Sequence, residues 1–226
     1  MTPPVAGVDG AKGAWLVASS ADQAITFDLL GSFAEVVELA DARGISCVGV
    51  DMPIGLPVDG PRVADVEARR RLGPRRSTLF PTPVAATLDA ADYTDACARS
   101  RAVSGKALSK QAWNLMPMIR DLRGAIAGEP ADRFIEVHPE STFCALAGGP
   151  LASKKTAVGV GERLRVLRSD VARLDDALAD APAGVAVDDA LDALAALVGA
   201  RRFLAGTAEV LGGGTDPDGF PLRLVI

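Results

Sequence analysis

Val5-Ala6-Gly7-Val8-Asp9-Gly10-Ala11-Lys12-Gly13 and Cys47-Val48-Gly49-Val50-Asp51 decide the fold of this chain. Each is a short apolar run with a glycine two residues before a terminal aspartate, the pattern of a buried strand ending at a polar edge. Between them, Trp15–Ser19 and Ile25–Leu30 read as further strands, the first reached through the turn Gly10-Ala11-Lys12-Gly13, giving an antiparallel meander. Ser32-Phe33-Ala34-Glu35 is a capping box opening a helix that runs to about Arg43, and Gly44 stops it. Ile45–Asp51 follows a helical crossover and is therefore expected parallel to the first strand.

Pro53, Gly55 and Pro57 close the fourth strand in a rigid loop. The stretch from about 61 to 128 is irregular and helical, and reads as an insertion. Phe134–His138 is a fifth strand. Helices are expected after Pro139, near Glu162–Ala179 and over Val185–Leu204, with a last strand at Leu222–Ile226 after the turn Asp216-Pro217-Asp218-Gly219. The expectation is a single α/β domain over 1–226, with three antiparallel strands, then parallel crossovers, and helices on both faces. That order is the ribonuclease H-like pattern. It also opens each half of the sugar kinase, Hsp70 and actin superfamily.

Alternation of side chains puts Asp9 on the face of Gly7 and Asp51 on the face of Gly49. As parallel neighbours, their carboxylates would emerge about 5 Å apart at the strand ends, where open α/β sheets bind ligands. In Asp189-Ala190-Leu191-Asp192-Ala193-Leu194-Ala195 the two acids lie one turn apart. The helix has almost no charged face beyond them, so burial nearly all round is expected. Acids gathered in apolar surroundings repel one another unless a cation joins them. Asp9, Asp51, Asp189 and Asp192 therefore read as ligands of a two-metal site that handles phosphate esters. Asp188 can substitute for Asp189, and dipole stabilisation in a first helical turn is the structural alternative for both.

Composition narrows the chemistry. His138 is the only histidine, and Cys47, Cys97 and Cys144 lack CxxC spacing. Zinc is disfavoured, and magnesium or manganese held by oxygen is expected. The odd, scattered cysteines and the absence of a signal segment or membrane span point to a cytoplasmic protein with no membrane partner. The net charge is −5, but residues 61–124 carry twelve Lys and Arg against six Asp and Glu. A basic segment beside an acidic body suits a phosphate-bearing partner. Arg75 and Arg76 suit bidentate phosphate contacts. Lys154 and Lys155 would add less directional ones, and Lys12, in the turn beside Asp9, would neutralise it without metal.

Gly7-Val8-Asp9-Gly10, Asp51-Met52-Pro53-Ile54-Gly55-Leu56-Pro57, Arg75-Arg76-Ser77-Thr78-Leu79-Phe80-Pro81, Glu136-Val137-His138-Pro139-Glu140, Lys154-Lys155-Thr156 and Asp189-Ala190-Leu191-Asp192-Ala193-Leu194 occur in that order. Together they resemble a bacterial family of predicted RNase H-like nucleases catalogued as a domain of unknown function. The C-terminal helix also resembles that of Holliday-junction resolvases of the RuvC type. The resemblance implies a metal-dependent nuclease acting on DNA or RNA, with Asp9, Asp51, Asp189 and Asp192 as the acids. It also implies a possible homodimer, since resolvase-like proteins are often dimers. Glu136 would be an extra ligand, and His138 would position water or phosphate. The alternatives are a non-catalytic binding or regulatory protein, and a phosphotransferase or phosphohydrolase of a small phosphorylated metabolite.

Overall fold

The computed structural model describes residues 3–21 and 24–226. Residues 1–2, where the expected 1–226 domain begins, and 22–23 lie outside the description. β1 (Val5–Ala11), β2 (Ala14–Ala21) and β3 (Ala24–Leu30) form the expected meander. Lys12 and Gly13 both take positive φ, 51° and 82°, the two-residue turn that matches strand twist. α1 (Phe33–Ala42) begins at Ser32, whose Oγ accepts from Glu35 N at 3.4 Å. Glu35 returns a bond to Gly31 N (2.8 Å), one residue outside the usual box. β4 (Cys47–Val50) then lies parallel to β1, and β5 (Phe134–Glu136) parallel to β4. The sheet order is β3-β2-β1-β4-β5, a mixed five-stranded sheet of ribonuclease H-like form.

Helices cover both faces. On one, α1 and α4 (Lys110–Ala125) bury Phe33, Met116, Ile119 and Leu122 against Val8, Val17, Val48 and Val50. Asp121 of α4 fixes this layer by accepting from Trp15 Nε1 (2.7 Å) and Phe33 N (2.8 Å). On the other lies α8 (Val187–Leu204), flanked by α5 (Pro139–Ala147) and α6 (Ala157–Leu167). Every residue of α8 from Ala190 to Ala200 is buried, as its missing polar face required. A Cβ on Gly7 would stand 2.0 Å from Ala193 O, and one on Gly49 2.3 Å from Ala196 O. The glycines are what let the helix backbone rest directly on β1 and β4.

Three segments differ from the sequence reading. Within 61–128, α4 is the crossover that covers the sheet between β4 and β5. α2 (Val63–Leu72) instead packs Ala64, Ala68 and Leu72 on a separate hairpin, and α3 (Tyr93–Ser104) lies between α2 and α4 in sequence. The helix expected near Glu162–Ala179 is two, because α6 stops at Leu167 and Arg173 (φ 55°) turns the chain into α7 (Leu174–Ala179). The last strand, β7 (Pro221–Val225), pairs with β6 (Val210–Thr215), a strand masked in sequence by Gly212-Gly213-Gly214, all at positive φ. A single bridge, Val137 to Val225, ties this hairpin to the main sheet. Among the described residues, no helix is long and apolar enough to cross a membrane. Cys47, Cys97 and Cys144 are free.

Candidate functional site

Register brings the first two acids together. Val8 pairs with Val50, and Asp51 N donates to Val8 O at 2.9 Å, so Asp9, still within β1, and Asp51, just past β4, stand side by side where the parallel pairing ends, on the face that α8 covers. The glycine contacts seat α8, and Asp192, one residue before Ala193, lines the same cleft. Asp9 Oδ1 accepts from Gly10 N (2.7 Å). Among the described residues, no donor reaches the Asp51 carboxylate. Burial raises the proton affinity of Asp9 well above the ordinary carboxylate range, and Asp51, Asp192 and Asp189 raise it further. Burial and then Asp192 do the same to Asp51.

The cation amid these acids is Lys154. Its Nζ donates to Asp192 Oδ2 and lies 3.8 Å from Asp188. It opposes the upward shifts of Asp51 and Asp192. Lys12, expected in that role, donates instead to Gly184 O (3.0 Å) and braces the loop before α8. Asp188 therefore shares a partner with Asp192. Asp189 is half-buried, raises Asp9 by repulsion and is not part of the cleft lining.

The cleft has a volume of about 640 Å³, within the range of small-ligand pockets. Asp9, Asp51, Asp192 and Lys154 form its acidic floor, while Arg75 and Lys155 contribute positive charge to its lining. Glu136 borders it but is spent on Arg62, with Oε2 2.6 Å from Nη1 and Oε1 2.5 Å from Nη2, and it also accepts from Ile54 N (2.9 Å). Val50 pairs with Glu136, so strand alternation sends Glu136 to the face opposite Asp51. The extra-ligand role expected of Glu136 is thus taken up by a buried ion pair. Arg62, which also bonds Asp65 (2.6 Å) and Gly55 O (3.1 Å), had no signal in the sequence.

His138 lines the cleft but is committed to structure. It is the N-cap of α5, its Nδ1 lying 2.8 Å from Ser141 Oγ and accepting from Ser141 N at 3.3 Å. Burial pushes its pKa down to about 4, so the ring is neutral near pH 7. Arg75 Nε donates to Glu140 Oε1 (2.9 Å), and Arg163 Nη2 holds Glu140 Oε2 (2.5 Å). Glu140 is an acid of the first turn of α5, and it also aims Arg75. Among the described residues, no acceptor engages Arg75 Nη1 or Nη2. Arg76 is exposed and outside the cleft lining; Lys155 is exposed and within it.

Among the described residues, no three His, Cys, Asp or Glu side chains form a group ready to hold a metal ion. The donor chemistry nevertheless fits a hard divalent cation. The acids of the floor offer carboxylate oxygens, and the one ammonium among them, Lys154, offsets their repulsion only in part. Asp9, Asp51 and Asp192 would hold such an ion, in competition with the Lys154 ammonium on Asp192.

No curated protein and no solved structure matches the chain. The family model described as "Protein of unknown function (DUF429)" matches residues 7–216, and the chain belongs to that family.

Proposed function

We propose that the protein is a divalent-metal-dependent hydrolase of nucleic-acid phosphodiesters. The observation that carries this reading is the convergence of Asp9, Asp51 and Asp192 on one cleft floor with a single lysine as counter-ion. Asp9, Asp51 and Asp192 would hold magnesium or manganese, with Asp188 or Asp189 as further acid. Such an ion acidifies bound water and offsets charge on the leaving oxygen. The chain supplies the rest. Asp9 Oδ1 is held by Gly10 N, which leaves Oδ2 as its free oxygen. Arg75 presents two unengaged guanidinium nitrogens, the fork that suits phosphate oxygens. Lys155 adds a mobile positive charge, and Lys154 Nζ, released from Asp192, pairs with the same phosphate. His138 is not the general base in this reading, because its Nδ1 is occupied and its basicity is low.

The test is manganese-dependent cleavage of labelled single strands, duplexes, RNA–DNA hybrids and four-way junctions, beside identically purified Asp9→Asn. Cleavage by wild type at a rate at least a hundred-fold above the variant is expected, roughly the loss that follows removal of one strong transition-state contact. Equal rates would remove the proposal. Lys154 favours a second reading, a binding or regulatory protein whose acids are permanently neutralised. It predicts that MnCl2 leaves the melting temperature unchanged.

A further inference from the structure

We infer that the cleft takes one nucleoside-phosphate unit, with its phosphate on Arg75 and its base against Phe80, and does not admit the interior of a duplex. The inference rests on the proposed hydrolase for its chemistry and on the cleft alone for its substrate class. A volume of about 640 Å³ holds one compact organic ligand. The wall over the acidic floor is the segment 75–83, and it is fixed. Arg69 donates to Leu79 O from Nε (3.2 Å) and Nη2 (2.7 Å), Thr78 Oγ1 donates to Arg75 O (2.8 Å), and Leu79, Thr82 and Val84 are buried. Pro81 and Pro83 restrict the backbone between them.

This rigid wall nevertheless presents Phe80 to solvent at 42% exposure, on the lining of the cleft. An aromatic ring held out in this way is a stacking platform for a base. Met118 of α4 continues the apolar wall to the reacting end. Its Cε and Sδ lie 2.9 and 3.2 Å from where a Cβ on Gly10 would be, next to Asp9. Anion recognition is pre-aimed as well, because Glu140 holds Arg75 by Nε and is itself anchored by fully buried Arg163. Asp9 and Asp51 line the same cleft as Phe80 and Arg75, so a unit bound there would bring its neighbouring phosphodiester to these acids. Hydrolysis there puts the oxygen of water on phosphorus and a proton on the leaving ribose oxygen. The unit can come from a strand terminus or from a free dinucleotide.

The experiment has a binding arm and a cleavage arm. Calorimetry with 5′-phosphorylated thymidine dinucleotide is run on wild type, Phe80→Ala and Arg75→Ala. Cleavage with MnCl2 is followed on the dinucleotide, a linear single strand and a covalently closed duplex circle. Expected are dinucleotide binding weakened roughly ten-fold in each variant, and an intact duplex circle. Cleavage of the linear strand from its end identifies the terminus as the source, and cleavage of the dinucleotide alone identifies the free nucleotide. No dinucleotide binding, wild-type affinity in both variants, or rapid cutting of the circle would overturn the inference. Variant-sensitive binding with no cleavage of any probe would uphold it and end the hydrolase reading.

Discussion

Two sets of buried carboxylates in this fold are treated in opposite ways. Glu136, Glu140 and Asp216 each bond a guanidinium directly, that of Arg62, Arg163 and Arg123 respectively, although Arg62 also serves Asp65 and Arg123 also serves Asp218. Asp9, Asp51 and Asp192 share one lysine. At Asp216 the Arg123 pair and the backbone N–H groups of Leu56 and Phe220 hold the acid below its usual range, although burial pulls the other way. At Asp51 burial and the neighbouring acids act together and push it up. A buried acid bonded directly to a guanidinium belongs to the architecture. A group of acids that shares less charge than it carries stores repulsion, and a cationic ligand can relieve it.

The largest expected effect tests the paired set. Arg62→Met should lower the unfolding free energy in urea by about 3–5 kcal/mol, because Glu136 and Asp65 stay buried without it. Adding Glu136→Gln should return part of that loss, and no recovery would mean the pair is not what Arg62 supplies. His138 gives the next effect. Its folded pKa, about 4, lies below the unfolded value near 6.5, so the unfolded chain binds the proton first. Its contribution is complete above pH 6.5 and is lost as pH falls toward 4, by up to about 3 kcal/mol. Urea midpoints across that window should fall less steeply in His138→Asn, a neutral cap, than in wild type.

The shared set is probed by Lys154→Met. Without metal it should cost about 1–3 kcal/mol, since Asp192 loses its charged partner. With MnCl2 the melting temperature should rise more in the variant than in wild type, because the ion no longer competes with the ammonium. An equal rise in both proteins would show that Lys154 does not occupy the cation position. The smallest effect is that of Lys12→Ala, within about 0.5 kcal/mol, as its exposed bond to Gly184 O implies. A larger loss would return Lys12 to the role expected from its place beside Asp9.

Much of this was legible along the chain. Val5–Asp9 and Cys47–Asp51 announced two buried strands, the Ser32 cap announced α1, and the course of Ala190–Ala200, apolar except for Asp192, announced a helix with no wet face. β6 was not legible, because Gly212-Gly213-Gly214 carries no strand periodicity and takes its shape from pairing with β7. The break between α6 and α7 was hidden for a related reason, since Arg173 in the left-handed region is a local cost that its surroundings impose.

The strands of the main sheet, the α1 crossover and the aspartates at the sheet edge could be read from the chain, because period and glycine placement are local properties, whereas the α4 crossover lay hidden in the irregular stretch 61–128. Only the tertiary structure decided which charges meet: Lys154 with Asp192, Arg62 with Glu136, and Arg75 with Glu140. The physical reason is that a long cationic side chain carries no record of its partner in its neighbours. Its pairing is set by which buried acid the completed fold leaves within reach and without water.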